Sequence, residues 1–272
     1  MKWVCHNGKI VPADSPLFGA GKRGFRYGDG VFETAKVVDG RLLLAPLHFN
    51  RLFTSLHLLQ IRPGGQFTPE IIEAQILNLC RQNGCAALAR VRLAVYREEK
   101  GDGGYVIEAA PLAADAQQWN KEGWNLVVSP LARKSCDALA YLNSANFLPY
   151  VLAAAYAAEK SADEALVLNV ANNVADGSKT NLFLVKDQII YTPALNQGCV
   201  SGVMRTFIIE SLKKEGYVVH QTEVDEPLLL QADEVFCTNA IQGIRWVRSF
   251  DSREYRHSFT QAVYRQLFAN NL

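Results

Sequence analysis

The sequence predicts an α+β protein of two domains. Segments with strand-like alternation and segments whose apolar residues recur at helical spacing are mixed within two blocks of the 272-residue chain. A polar, alanine-rich stretch at residues 112–122 separates the blocks. We therefore expect a smaller N-terminal domain over residues 1–111, a linker over 112–122 and a larger C-terminal domain over 123–272, with a ligand cleft between the domains.

The first block begins with strands that end at turn-forming pairs. Asn7-Gly8 follows the first strand and Asp39-Gly40 follows the second, and such pairs favour the tight turns of β-hairpins. The strands predicted here are Trp3–Cys5, Val31–Val38, Arg41–Leu44, Ala89–Tyr96 and Gly104–Ala110. Helical spacing, with the N-cap candidate Thr68 before the second helix, predicts helices over Leu47–Leu59 and Pro69–Arg81.

The second block continues the mixture of strands and helices. Short apolar or alternating runs predict strands at 124–130, 164–170, 181–186, 188–192, 217–223 and 234–238. Helices are predicted from about Phe147 to Lys160, near 202–215, and from Ser258 to Phe268. No internal repeat or low-complexity tract is evident in the sequence, which agrees with two globular domains.

Charge and composition exclude several classes of protein. The chain has 28 basic and 27 acidic residues and no long basic run, so its charge gives no support to a nucleic-acid or membrane partner. No apolar run approaches the roughly 18 residues that a membrane span needs, and the first residues lack the apolar region of a signal peptide. Six scattered cysteines without a Cys-x-x-Cys pair, and only five histidines, disfavour a zinc site. We expect reduced thiols in a cytoplasmic protein that carries no metal.

Three segments contain motifs that point to one family. They are Arg23–Thr34, His48–Leu52 and Asp176–Phe183. Together they resemble the fold-type IV (class IV) aminotransferases, which include branched-chain aminotransferases, D-amino acid aminotransferases and aminodeoxychorismate lyases. The resemblance runs from about residue 21 to residue 247. It implies a two-domain D-amino acid aminotransferase-like fold, pyridoxal 5'-phosphate (PLP) as the cofactor at the domain interface, an amino acid or amino-carboxylate substrate, and a homodimer.

The position of the family's catalytic lysine is occupied by Asn143. The family binds PLP as a Schiff base through the lysine of a Lys-Ser/Thr-x-Asn-Tyr/Phe-Leu pattern, and the matching stretch here is Asn143–Leu148. Arg133 lies ten residues before Asn143, which is the family's spacing between its arginine and its lysine. An asparagine amide has no basic lone pair and cannot form an imine. Lysines that could substitute for it are Lys179, Lys36 and Lys134.

The resemblance also assigns the other cofactor contacts. Arg51 is the cation for the phosphate, and Asp176 stands where the family has the glutamate that binds the pyridine nitrogen. The alternative for Arg51 is a surface arginine on a helix, and the alternative for Asp176 is a residue of a plain turn. Aspartate is one methylene shorter, so its carboxylate reaches less far. The loops that would offer backbone N–H groups to the phosphate contain Val200, Ser201, Gly202, Val203, Thr238 and Asn239.

Two functional hypotheses follow from these residues. The first is a class IV PLP-dependent protein that acts on an amino acid, as a transaminase or as a lyase of the aminodeoxychorismate type. Its activity is in question because Asn143 and Asp176 differ from the family's lysine and glutamate. By the resemblance Arg97 would bind a substrate carboxylate, with Arg90 or Arg92 of the same strand as alternatives, or it would be a strand-end surface charge. Tyr27 and Phe32 would form an apolar wall. The second is a non-catalytic descendant that binds PLP non-covalently or binds another phosphorylated ligand. A third explanation is that Asn143 was introduced deliberately to trap a cofactor adduct. The presence of Asp176, a second departure from the family's residues, argues against this explanation.

Overall fold

The structure is a computed structural model that describes residues 1–98 and 102–270, and these divide into two compact units. Unit 1 comprises the described parts of Met1–Ala116 together with Asn143–Asn146. Unit 2 comprises the described parts of Gln117–Leu142 and Phe147–Leu272. The chain thus returns briefly to unit 1 at the stretch that contains Asn143. None of the helices in the described ranges is long and apolar enough to cross a membrane.

Unit 1 is built on a single sheet with helices beside it. Its strands are β1 (Trp3–His6), β2 (Lys9–Pro12), β3 (Gly30–Val38), β4 (Arg41–Leu42), β5 (Arg62–Pro63), β6 (Leu88–Arg97) and β7 (Asp102–Pro111). Its helices are α1 (Arg23–Tyr27), α2 (Ala45–Leu58) and α3 (Pro69–Gln82). The strand order is β2-β1-β7-β6-β3-β4, with β5 paired in parallel to β7.

One face of the unit 1 sheet packs against α2 and α3. The core residues from the strands and helices include Ala35, Val91, Leu52 and Leu79. Because successive strand residues point to opposite faces, the other face of β3 presents Phe32, Thr34 and Lys36.

Unit 2 is also built on one extended sheet. Its strands are β8 (Trp124–Lys134), β9 (Glu164–Asn169), β10 (Val174–Gly177), β11 (Asn181–Lys186), β12 (Ile189–Pro193), β13 (Val219–Thr222), β14 (Glu234–Asn239), β15 (Gly243–Phe250) and β16 (Arg253–Glu254). Its helices are α4 (Leu148–Glu159), α5 (Val203–Lys214), α6 (Glu226–Gln231) and α7 (Ser258–Asn270). The order is β10-β9-β8-β15-β14-β11-β12-β13, with β16 paired to β15.

Two buried apolar clusters lie on opposite faces of this sheet around β9. Leu166 belongs to a cluster that contains Trp124, whereas its neighbours Ala165 and Val167 belong to a cluster that contains Tyr150 of α4. Alternation along the strand places the two clusters on different faces. We call these faces the Trp124 face and the α4 face.

The α+β prediction is confirmed, and the predicted elements are present with shifts at their ends. The strand predicted over Arg41–Leu44 is wrong beyond Leu42, because Leu44 has a left-handed φ of 54° and forms the N-cap of α2. The prediction missed β2, α1, β5, β10, α6, β15 and β16. The sequence of β15 does not alternate between apolar and polar residues, because the polar Arg245 is buried as well. Its Nη1 donates to Gln118 O at 2.5 Å.

Candidate functional site

Asn143 is attached to the start of β3 in unit 1. Its backbone carbonyl accepts a hydrogen bond from Phe32 N at 3.0 Å, and its side-chain Nδ2 donates to Phe32 O at 2.5 Å. Two residues further on, Ala145 N donates to Gly30 O at 2.9 Å. The carboxamide therefore fixes this segment to the sheet, and the position supplies no amine.

Arg51 of α2 is held by a buried carboxylate. Its Nε donates to Glu33 Oε1 at 2.8 Å and its Nη2 donates to Glu33 Oε2 at 2.6 Å, which is a bidentate pair. His48 Nδ1 lies 2.6 Å from Glu33 Oε2. Burial raises the pKa of Glu33, but the charge of Arg51 and the hydrogen bond from His48 outweigh it, so the pKa lies below its ordinary value. Glu33 thus fixes the orientation of the guanidinium group.

Lys36 and Phe32 lie on the sheet face opposite α2. Lys36 is buried, 4% exposed, and its register partner on β6 is Arg90. The partner of Thr34 is Arg92, whose guanidinium carbon lies 4.8 Å from the centroid of the Phe32 ring. The structure therefore brings Lys36 and Phe32 onto one face, alongside two arginines.

The other two substrate candidates have different surroundings. Arg97 Nε donates to Asp29 Oδ2 at 2.9 Å, and its Nη1 and Nη2 donate to the carbonyls of Gln60 and Leu59 at 3.0 and 2.6 Å. Burial raises the pKa of Asp29, but the hydrogen bond from Arg97 and a second arginine outweigh it, and the pKa is lowered. Arg97 thus ties β6 to the chain after α2, while Tyr27 is 59% exposed.

Asp176 lies buried on β10 in unit 2. Its Oδ1 accepts from Asn181 Nδ2 at 2.7 Å, and its Oδ2 accepts from Tyr150 Oη and from Val200 N, both at 2.8 Å. Burial raises the pKa of Asp176 to about 7, even though these three hydrogen bonds act in the opposite direction. The acid therefore changes its protonation state near neutral pH, and both of its oxygens have protein donors.

Lys134 approaches the same acid from the end of β8. Its Nζ donates to Ala140 O at 3.0 Å and lies 5.0 Å from the centroid of the Tyr150 ring. Burial lowers the pKa of Lys134, against the opposing charge of Asp176. Burial and the same acid raise the pKa of Tyr150 well above its ordinary value. Three titratable side chains with shifted pKa values thus lie together on the α4 face.

The loop before α5 uses its backbone N–H groups internally. Val200 N donates to Asp176 Oδ2 at 2.8 Å. Ser201 N donates to Tyr141 O at 2.9 Å, and Gly202 N donates to Val200 O at 2.7 Å. The helix itself begins at Val203 with Gly202 as its N-cap and has no side-chain cap. The N–H groups of its first turn have no acceptor within the helix, and such a terminus attracts anions.

Thr238 is a neighbour of the α5 start. In the sheet it pairs with Asn181, and a Cβ at Gly202 would lie only 1.8 Å from Asn181 Oδ1. Thr238 Oγ1 is buried and has no hydrogen-bond partner in the part of the chain that the structure describes. Asn239 instead orders its own turn, because its Oδ1 accepts from the N–H groups two and three residues on, at 3.0 and 2.7 Å.

Lys179 is directed away from the α4 face. It is exposed, and its Nζ lies 5.6 Å from the centroid of the Trp124 ring, which belongs to the other face of the sheet. The turn that carries it is anchored on the buried Glu164, whose Oε1 accepts from Ser178 N and Oγ at 2.8 and 2.5 Å. The structure does not bring Lys179 together with Asp176.

These arrangements show how a phosphorylated pyridine cofactor would fit the chain. The uncapped start of α5 and the orphaned Thr238 Oγ1 suit phosphate oxygens, and Asp176 is a buried acid suited to a ring nitrogen. Asn143 does not fit a covalent link. The residues therefore fit a phosphorylated cofactor that has no bond to residue 143. Within the described ranges, no group of three or more histidine, cysteine or acidic side chains could hold a metal ion.

Sequence reasoning missed the residues that hold these groups in place. Glu33 and His48 stand inside the quoted motifs; Glu33 binds Arg51 and His48 binds Glu33. An acidic residue in a strand next to a helix that carries an arginine was an available signal of this pair. Tyr150 gave no signal, because its contact with Asp176 joins residues that are distant in sequence.

Comparison with known proteins identifies related sequences over most of the chain. The family model described as amino-transferase class IV matches residues 30–250. The aminodeoxychorismate lyase of Vibrio harveyi is 31% identical over 248 residues, which cover 88% of this chain and 89% of that protein. The D-alanine aminotransferase of Bacillus licheniformis is 25% identical over 258 residues, which cover 92% and 89% of the two chains.

Solved structures share the fold. The branched-chain amino acid aminotransferase of Escherichia coli superposes with a TM-score of 0.87 at 21% identity, over 99% of this chain and 94% of that one. The T.th. branched-chain amino acid aminotransferase, solved with pyridoxamine 5'-phosphate, gives a TM-score of 0.86 at 24% identity, over 98% and 92%.

Proposed function

Because the chain belongs to the class IV aminotransferase family, we propose that it is a PLP-dependent protein that acts on an amino acid, by transamination or by a lyase reaction of the aminodeoxychorismate type. The observation that carries the proposal is the family match over residues 30–250, a range that contains Arg51, Asp176 and the α5 start. The pyridoxamine 5'-phosphate held by a structural neighbour supports the choice of cofactor. Homodimer formation is part of the proposal.

The chain's own residues have separate tasks in this function. When bound, PLP withdraws electrons from the substrate Cα. Arg51, oriented by Glu33, would hold a phosphate, and the first N–H groups of α5 are also suited to one. Asp176 would hold the ring nitrogen in its charged form, which its pKa of about 7 makes accessible at neutral pH.

Residue 143 cannot move a proton between the substrate and the cofactor. The Asn143 carboxamide is neutral and is engaged with Phe32 O at 2.5 Å. General acid–base catalysis requires a group whose pKa lies near the working pH. Turnover is therefore expected to be slow unless another amine takes over this task.

One observation favours a second candidate function, that of a non-catalytic protein that binds PLP or another phosphorylated ligand. Both oxygens of Asp176 already accept hydrogen bonds from Tyr150, Asn181 and Val200. An acid that already accepts three hydrogen bonds from the protein is more suited to maintaining a folded site than to exchanging partners during a reaction.

An assay with defined substrates distinguishes the two functions. Protein loaded with PLP is incubated with branched-chain amino acids or D-alanine, each together with a 2-oxo acid that accepts the amino group, and separately with aminodeoxychorismate, and substrate consumption is measured. The proposed enzyme consumes at least one of them, and Asn143→Lys increases the rate because it restores an amine at that position. If PLP binds but neither protein consumes any of these compounds, the enzymatic function is overturned in favour of binding alone.

A further inference from the structure

An amine lies close to Asp176 in unit 2, and it belongs to Lys134. The Nζ of Lys134 lies 5.0 Å from the centroid of the Tyr150 ring. The hydroxyl group of the same tyrosine donates to Asp176 Oδ2 at 2.8 Å. One buried aromatic ring therefore contacts the amine on its face and reaches the acid through its hydroxyl group.

The other candidate lysine of unit 2 lacks this neighbourhood. Lys179 is exposed and contacts Trp124 on the opposite face of the unit 2 sheet. Lys36 belongs to unit 1, where it lies in register with Arg90. Within unit 2, Lys134 is therefore the candidate whose contact residue, Tyr150, also binds Asp176.

The surroundings of Lys134 favour the uncharged amine that a carbonyl compound requires. Its hydrogen-bond acceptor is the neutral carbonyl of Ala140, at 3.0 Å, rather than a carboxylate. Burial lowers the pKa of Lys134, although Asp176 and Asp137 oppose this. Clusters of perturbed titratable groups occur preferentially at functional sites.

We infer that Lys134 forms an imine with the aldehyde of PLP in this chain, in place of a lysine at position 143. The inference rests on the proposed function, since it requires that PLP binds. In the step, the Nζ lone pair attacks the aldehyde carbon and a C–N bond forms. Both amine protons leave with the carbonyl oxygen as water, and a C=N bond remains. The step needs no oxidant or reductant.

Chemical trapping tests this assignment. The full-length protein is mixed with an equimolar amount of PLP, reduced with sodium borohydride, digested and mapped by mass spectrometry. The expected adduct lies on the peptide that contains Lys134. Lys134→Arg has a side chain of similar length and can still donate to Ala140 O, but it cannot form an imine. Lys134→Arg should lose the adduct, and Lys179→Arg, the matched control, should retain it.

Equilibrium dialysis of PLP against the same samples separates the possible failures. Saturable binding with the adduct on Lys134 supports the inference. Saturable binding with the adduct on another lysine, or with no adduct, overturns the inference and leaves the proposed function standing. Absence of saturable binding overturns the proposed function, and the inference falls with it. Should Lys134→Arg fail to fold, the peptide map of the wild-type protein still decides.

Discussion

The titration of Asp176 should make the stability of the protein fall as pH rises towards neutrality. The pKa of this buried acid is raised from 3.8 to about 7, so the folded protein binds the proton more tightly than the unfolded chain. The resulting stabilisation is fully present below about pH 4 and is lost as pH rises to about 7. At 1.36 kcal/mol for each pKa unit, a shift of this size corresponds to about 4 kcal/mol.

Replacement of Asp176 by asparagine removes the titration while keeping a side chain of similar size. Urea unfolding of both proteins, followed by tryptophan fluorescence, gives the free energy of unfolding at each pH, and three of the four tryptophans lie in unit 2 with Asp176. The wild-type value minus the variant value should decrease by up to about 4 kcal/mol between about pH 4 and pH 7. Asp187→Asn, at an exposed turn, is the control and should parallel the wild type. Parallel pH profiles for wild type and Asp176→Asn would show that folding does not raise the pKa of Asp176.

Two further substitutions test the packing around the candidate residues. Arg51→Met removes the charged partner of the buried Glu33, which keeps its contact with His48, and should lower the free energy of unfolding by about 3 kcal/mol. Glu33→Met combined with Arg51→Met should recover part of the loss in the same urea assay. Gly202→Ala puts a Cβ 1.8 Å from Asn181 Oδ1 and should lower the free energy of unfolding by about 1–3 kcal/mol. Gly64→Ala is the control and should change this free energy little, because its Cβ meets open space. Equal effects at the two glycines would contradict the close packing at Gly202.

Much of the fold followed from local signals in the sequence. Thr68 caps α3 as predicted, with its Oγ1 accepting from Ile71 N at 3.4 Å, because a cap needs only residues within one turn. The missed helix α6 had a similar signal, since Asp225 caps it and Pro227 stands in its first turn. By contrast, β15 could not be recognised by alternation, because it is buried on both faces.

The candidate site depended on contacts that a single sequence does not reveal. The motifs located Asn143, Arg51 and Asp176, yet the partners of these residues come from elsewhere in the chain. Asn143 is bonded to a backbone carbonyl more than a hundred residues earlier, and Asp176 is bonded to Tyr150 of α4. Such long-range contacts are fixed by tertiary packing, which has no local periodicity.

We propose that the chain holds PLP through its phosphate and ring, although residue 143 is an asparagine and supplies no amine. Equilibrium dialysis of the wild-type protein with PLP, and in parallel with pyridoxal, which lacks the phosphate, tests this mode of binding. We expect saturable, stoichiometric binding of PLP, competition by inorganic phosphate, and much weaker binding of pyridoxal. Binding that does not saturate, or equal binding of PLP and pyridoxal, would contradict it.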